Sequence, residues 1–352
     1  MSRRVLFVIR GKLGDSLVLY AAVRRYVEQF PEDHVTLAIR RDYARLLEAE
    51  PGFTLLPFGS RLEMALRLAW LRASGAPFDV LAVLWGFGPA MRILARLVNA
   101  RRRIYLNERF ADLYPEWPTL PAEIALVDPA MHVIHCFEPR LSRPAALLVP
   151  SLAAARLAGP PPRAIGVVPV ADELRRNFDP TTLDLLIGEV KRRHPGSPLR
   201  VFVNPVNRGS EAILAHRLPA GAELRRFSDL RAVVRQFCEL EAWYGTDTGL
   251  YHLAVAMGIP ATVFFGPTQP WKIAMPEQPE ARWVRLAVLG QSHCDEKSCQ
   301  RPLCLEQAVA SFCGAAARTD IDATPGTCPL RAHPPDVLRA ITLHESPDRQ
   351  AR

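Results

Sequence analysis

Short runs of apolar residues alternate along the chain with stretches in which apolar positions recur every three or four residues, the pattern of buried strands followed by amphipathic helices. Val5-Leu-Phe-Val-Ile9 reads as a strand, and Asp15 to Gln29 as a helix with Leu17, Tyr20, Ala21, Val23 and Val27 on one face. The alternation continues through His34 to Ile39, Tyr43 to Ala49, Leu55 to Phe58, Leu62 to Arg72, Val80 to Leu84, Pro89 to Asn99 and Arg103 to Tyr105. From Asn107 to Pro150 the pattern decays.

Arg156-Leu-Ala-Gly-Pro-Pro-Pro-Arg163 reads as a linker, because three consecutive prolines continue neither a helix nor a central strand. Beyond it the alternation restarts with Ala164 to Val168, Pro180 to His194, Leu199 to Val203, Glu211 to Leu218, Glu223 to Phe227 and Asp229 to Phe237. It then reaches its clearest unit: a strand from Leu240 to Tyr244, a turn from Gly245 to Thr248, a helix from Gly249 to Met257 stopped by Gly258 and Pro260, and a strand from Ala261 to Phe265. Repeated βα alternation predicts an α/β protein of mostly parallel sheets covered by helices on both faces. We expect two Rossmann-like domains, residues 1–158 and 159–345, the second carrying a cysteine-rich segment over 293–328.

Composition changes this picture little. A chain of 352 residues has room for two domains, since single cores stop growing near about 250 to 300 residues. The net charge of +8 suits an acidic partner, yet only four of its 44 basic residues are lysines and it has 32 prolines, which points to a compositional bias. No nucleic-acid-binding motif accompanies the charge, and none is expected to bind. No apolar run approaches the ~18 residues of a membrane span, and Val5 to Ile9 is too short for a signal-peptide core. The expected location is the cytoplasm, where seven cysteines would be thiols or metal ligands.

Candidate chemistry sits in two glycine-bearing loops. Arg10-Gly-Lys-Leu-Gly-Asp15 joins the first strand to the first helix, and its Gly-x-x-Gly spacing is not that of a nicotinamide-binding turn. It brings Lys12 and Asp15 to the strand's carboxyl edge. In the clearest unit, Asp247 and Thr248 stand at an N-cap, where first-turn amides favour an anion. A capped core helix would explain those two alone. His252, one turn further in, makes three polar groups converging on the helix start. His132, His135 and Glu138 fit no ligand motif. Cys294, Cys299, Cys304 and Cys313, with Cys328 further on and His293 beside the first, contain no Cys-x-x-Cys pair, so a structural metal and scattered thiols both fit.

Asp247-Thr-Gly-Leu-Tyr-His252, followed by Ala254-Val-Ala-Met-Gly-Ile-Pro260 and Phe264-Phe-Gly-Pro-Thr268, resembles the signature of the family 9 glycosyltransferases, the ADP-heptose:lipopolysaccharide heptosyltransferases and their relatives. Gly11-Lys-Leu-Gly-Asp15 resembles that family's Gly-x-x-Gly-Asp opening. The resemblance implies the GT-B architecture: two Rossmann-like domains facing a central cleft, the first binding the acceptor and the second the nucleotide sugar. It implies inverting transfer of a heptose from ADP-heptose to a hydroxyl of a lipopolysaccharide core or other glycan, with no cofactor required. Asp15 would be the general base, with Lys12 and Gly14 on the acceptor side. The Thr248 and Gly249 amides, with Arg176 or Lys272, would hold the leaving pyrophosphate. Asp247 and His252 would position the donor, and Glu211, after Asn207-Arg-Gly-Ser, would meet the ribose. The family usually carries a Lys before a Trp-Pro pair where this chain has Arg176-Asn-Phe, which leaves the donor's identity open. One branch of the family holds a structural iron through four cysteines, so zinc or iron on Cys294, Cys299, Cys304 and Cys313 is a further expectation. Work at the inner face of the inner membrane would bring peripheral membrane contact. Three other readings stay open: a GT-B transferase using another nucleotide sugar, a sugar-nucleotide epimerase on the same two-domain plan, and a non-catalytic nucleotide-sugar-binding module.

Overall fold

A computed structural model describes residues 2–75, 77–86, 90–105, 112–116, 118, 127–144, 146–172, 177–178, 180–207, 210–265 and 281–285. Two compact units divide between Ala154 and Ala155.

The first unit is built on strands β1 (Arg4–Ile9), β2 (His34–Arg40), β3 (Phe53–Phe58), β4 (Phe78–Trp85) and β5 (Ala100–Tyr105). They form one parallel sheet in the order β3-β2-β1-β4-β5. Val5 to Ile9 are wholly buried, as a central parallel strand covered on both faces requires. Helices α1 (Leu13–Gln29), α2 (Arg41–Ala44), α3 (Arg61–Ser74), α4 (Ala90–Leu97) and α5 (Val127–His135) make the crossovers and cover, α1 packing with α5 and α3 with α4. Phe7, Tyr26 and Phe137 stack edge-on or tilted beneath α1, with Phe7–Tyr26 and Tyr26–Phe137 ring centroids 5.3 and 5.7 Å apart. Arg3 closes this end of the core: its Nε donates to Asp33 at 2.9 Å and its guanidinium to Glu138 at 3.0 Å.

Helix α6 (Pro150–Leu157) spans the division. The second unit repeats the plan with β6 (Ala164–Val168), α7 (Pro180–Arg193), β7 (Leu199–Val203), α8 (Ser210–Ala215), β8 (Ala222–Arg226), α9 (Leu230–Phe237), β9 (Leu240–Thr246), α10 (Gly249–Ala256), β10 (Ala261–Phe265) and β11 (Ala281–Arg285). Its parallel strands lie in the order β11-β10-β9-β6-β7-β8. Ile165, Val167, Leu183, Ile187, Val201, Tyr244 and Phe264 fill its core. Each sheet therefore starts at its middle, grows to one side and then reverses, the Rossmann strand order. The reversal falls between β1 and β4 in the first unit and between β6 and β9 in the second.

Several boundaries depart from the periodicity. Helix α1 begins at Leu13, two residues earlier than expected, because the Asp15 carboxylate accepts the Lys12 amide at 3.1 Å and fastens the first turn from inside. Strand β9 runs on through Gly245 and Thr246, which pair with β10 as Val263 and Phe264, so the turn is only Asp247 and Thr248. The expected helix from Tyr43 to Ala49 is a single turn, α2, followed by bonds of Leu46 to Tyr43 and Leu47 to Ala44 that close over three residues rather than four. Arg156, placed in a linker by its sequence, is still helical and donates to the carbonyls of Gly258 and Leu240. Helices α5 and α6 and strand β11 have no counterpart in the periodicity. Among the described residues no helix is long and apolar enough to cross a membrane.

Candidate active site

In open parallel sheets of this order ligands bind beyond the carboxyl ends of the strands at the reversal point. Both glycine-bearing loops lie there, each in its own unit.

In the first unit the Arg10 amide donates to the Trp85 carbonyl at 2.8 Å, joining the end of β1 to the end of β4. The β1–β4 register slips there, Val8 facing Val83 and Ile9 facing Trp85, a bulge that re-aims the strand end beside the loop. Gly11 then passes close under the helix. A Cβ at this position would lie 2.7 Å from the Asp15 Cβ and 3.1 Å from Trp85 Cδ1, so only glycine fits without displacing one of them. Lys12 is exposed, Gly14 buried and Asp15 half-buried in the first turn of α1. A carboxylate fixed by a backbone amide at a strand edge, open on one side, has the makings of a general base.

In the second unit the site grows from β9 into α10. Gly245 pairs with Val168 of β6, and a Cβ there would come within 2.5 Å of the Val168 carbonyl oxygen. Thr248 has extended backbone, and its Oγ1 accepts the Leu250 amide at 2.9 Å while its carbonyl accepts that of Tyr251 at 3.1 Å. This is an N-cap, which aims the first-turn amides and the positive end of the helix dipole outward. Leu250 to Ala256 are all buried. Gly258, at φ +68°, ends the helix with paired bonds from Ile259 to Ala254 and from Gly258 to Val255. Behind the cap Asp247 is 2% and His252 4% exposed. The Tyr251 ring lies 4.8 Å from that of His252 and 5.9 Å from Trp243. Burial pushes the Tyr251 phenol well above its ordinary value, and the nearby Asp247 charge pushes it further.

The loop after β6 faces the same reversal point. Its base is closed by the Phe178 amide on the Pro169 carbonyl at 2.9 Å and the Ala171 amide on Asn177 Oδ1 at 2.7 Å, with Asn177 and Phe178 both buried. Arg176 of this loop lies outside the described residues, as do Lys272 and Cys294, Cys299, Cys304 and Cys313, with His293 and Cys328. Glu211 is exposed in the first turn of α8, after β7, the strand beside β6. His132, His135 and Glu138 form no metal set: Glu138 is engaged by Arg3 and Arg140, and His135 meets the Leu141 carbonyl at 2.9 Å. Among the described residues no group of three His, Cys, Asp or Glu is placed to hold a metal ion. Periodicity missed two contributors, Trp85 and Tyr251, because an aromatic residue at the end of an apolar run looks like core.

Residues 220–304 match the sequence profile of glycosyltransferase family 9 (heptosyltransferase). A search of curated protein sequences gave no match. Among solved structures, the chain is similar to the E. coli ADP-heptose LPS heptosyltransferase II, with a TM-score of 0.64 and 17% identity over 97% of this chain and 98% of that one. It is similar also to E. coli heptosyltransferase WaaC with ADP, with a TM-score of 0.64 and 16% identity over 81% and 93%. The dodecameric iron-containing heptosyltransferase TibC of enterotoxigenic E. coli, in complex with ADP-D-β-D-heptose, scores 0.51 at 12% identity over 80% and 62%. At these identities the likeness is one of fold, and that fold is GT-B. Residues 220–304 thus carry the family 9 profile, and the chain has the GT-B fold of the heptosyltransferases it is similar to.

Proposed function

We propose that the protein transfers a heptose from ADP-heptose to a hydroxyl group of a lipopolysaccharide core or related glycan, with inversion at the anomeric carbon. The observation that carries this reading is the capped mouth of α10, an anion site at the β6/β9 reversal point. It lies inside the stretch that matches the heptosyltransferase profile. The ADP and ADP-heptose named for the similar E. coli proteins support the choice of donor.

In this reading the first unit binds the acceptor and the second the donor. Asp15 takes the proton of the acceptor hydroxyl, with Lys12 and Gly14 lining its approach. The freed oxygen bonds to the anomeric carbon as the bond from that carbon to the β-phosphate oxygen breaks, and ADP leaves with the electron pair. The amides of Thr248 and Gly249, with Arg176 or Lys272, hold the charge that develops on the pyrophosphate. Asp247 and His252 fix the donor from behind the cap, and Glu211 takes the ribose hydroxyls. Transfer so described calls on no cofactor. We further assign Cys294, Cys299, Cys304 and Cys313 to a structural zinc or iron, since four thiolates suit either metal and TibC contains iron. Sub-stoichiometric metal in protein purified without a histidine tag would remove that assignment. The acceptor chemistry puts the enzyme in the cytoplasm, at the inner face of the inner membrane.

Thermal-shift measurements with nucleotide sugars test the donor. A ligand at ~100 times its dissociation constant adds about 2.7 kcal/mol to the stability of the state it binds. ADP-heptose is expected to raise the melting temperature where UDP- and GDP-sugars do not, and the reverse ranking would overturn the donor assignment.

A further inference from the structure

Helix α3 carries two apolar stripes where a surface helix needs one. Met64 and Leu68 are 1% exposed and face the sheet. On the other side Leu62, Leu66 and Trp70 are 70%, 63% and 67% exposed. Their spacing of four residues places them along one line of the helix, with Ala69 and Ala73 alongside, about 12 Å from end to end. Three large apolar side chains in a row on one helix are more than the scattered exposure normal for a monomer.

The surroundings of this stripe say what covers it. Arg67 on one flank is paired with Glu63, and Arg72 on the other donates to the Arg96 carbonyl of α4 at 2.7 Å. Helix α4, packed against α3, adds exposed Arg92 and Arg96 and no acid. Within α3 and α4 the sequence has five arginines against the single acid Glu63. A line of Leu and Trp flanked by arginines is the composition of a helix that lies in the headgroup layer of an anionic bilayer, its rings and aliphatic chains below and its guanidinium groups among the phosphates. A protein partner of ordinary composition would not call for so one-sided a charge.

We propose that α3 and the arginines of α4 form a docking surface for anionic phospholipid, entered by Leu62, Leu66 and Trp70. This deepens the reading of a membrane-borne acceptor, and the surface brings the enzyme to the layer where such an acceptor is held. Because α3 is an arm of the β3–β4 crossover rather than part of either glycine-bearing loop, membrane contact and transfer are separable.

The test is sedimentation of the full chain with sucrose-loaded vesicles of phosphatidylethanolamine containing about 30 mole per cent phosphatidylglycerol, beside vesicles of phosphatidylcholine alone. Wild-type protein is expected to sediment with the anionic vesicles, to be released as salt rises, and to stay in solution with phosphatidylcholine. The Leu66→Gln, Trp70→Ala double variant should bind at least about tenfold more weakly with an unchanged melting temperature, since both side chains are mostly exposed. A second variant, Arg92→Gln with Arg96→Gln, should lose the preference for anionic lipid. Equal binding to both vesicles, or none to either, overturns the proposal. So does a wild-type dimer in analytical ultracentrifugation that the double variant abolishes, because the stripe would then be covered by a second copy. Transfer to a soluble acceptor fragment should be the same in wild type and double variant; loss of vesicle binding with that activity intact separates this surface from the assigned reaction.

Discussion

Gly11 and Asp15 occupy each other's space: a methyl group on the glycine would sit 2.7 Å from the aspartate's Cβ and 3.1 Å from its Oδ2. The first loop can thus hold its carboxylate against β1 only while position 11 has no side chain. Gly11→Ala should push Asp15 off its place on the Lys12 amide and cost about 100-fold in kcat, the usual effect of an ångström's misplacement at a reacting centre. The melting temperature should fall as well, because Asp15 Cβ can yield only if the first turn of α1 moves with it. Undiminished turnover would show that Asp15 is not positioned by this contact.

Asp15→Asn keeps the shape and retains an oxygen to accept the Lys12 amide, but cannot take a proton. Turnover should fall by roughly 100- to 10,000-fold while the thermal shift produced by the donor persists. Activity within threefold of wild type would remove Asp15 from the role of base.

Thr248 caps α10 through a single hydroxyl bond to the Leu250 amide. Thr248→Ala should lower stability by about 1 kcal/mol and weaken donor binding, whereas Thr248→Ser, which keeps the hydroxyl, should restore most of both. Chemical denaturation and donor titration of the two variants check this directly. Equal losses in both would point to the methyl group instead.

Glu138 gives the first unit a pH dependence of known sign. The hydrogen bond from Arg140 and, behind it, that from Arg3 hold its carboxyl below the ordinary value despite burial. A carboxyl whose value is lower in the fold than in the unfolded chain contributes stability that is fully present above the unfolded value, about 4.3, and is lost as pH falls through the folded one. Glu138→Gln should therefore cost about 1 to 3 kcal/mol at pH 7, with the gap to wild type narrowing as the solution is acidified below about pH 4. A gap independent of pH would mean that packing, and not charge, is what the glutamate supplies.

Much of the scaffold can be read from periodicity because parallel strands are apolar on both faces and stand out as runs: β1, β4, β9 and β10 are of this kind. The stop at Gly258 and Pro260 was legible for a local reason, since only the glycine adopts φ +68° without strain. Helix α6 was not, because Pro-Ser-Leu-Ala-Ala-Ala-Arg-Leu is too short and too uniformly apolar to show a face. Strand β11, Ala-Arg-Trp-Val-Arg, is a five-residue edge strand with two arginines, too short and too little apolar to stand out as a run. At the candidate site, Lys12, Asp15 and Asp247 stand at strand ends where the loop sequences put them. The residues that hold them are not legible in those loops: that Asp15 would fasten its own helix, or that Trp85 would wall the loop, depends on a bulge between β1 and β4 that no window of either strand contains.

Seven of the eight residues of α10, all but Gly249, are buried. A helix so enclosed has no spare surface on which to vary, so change at almost any position is a change in packing before it is a change in recognition. Relatives that prefer another sugar would then have to differ elsewhere, in the loops that follow β6 and β7. Efforts to alter the donor belong at exposed positions such as Glu211, with the helix left as the fixed anvil against which each new loop is tried.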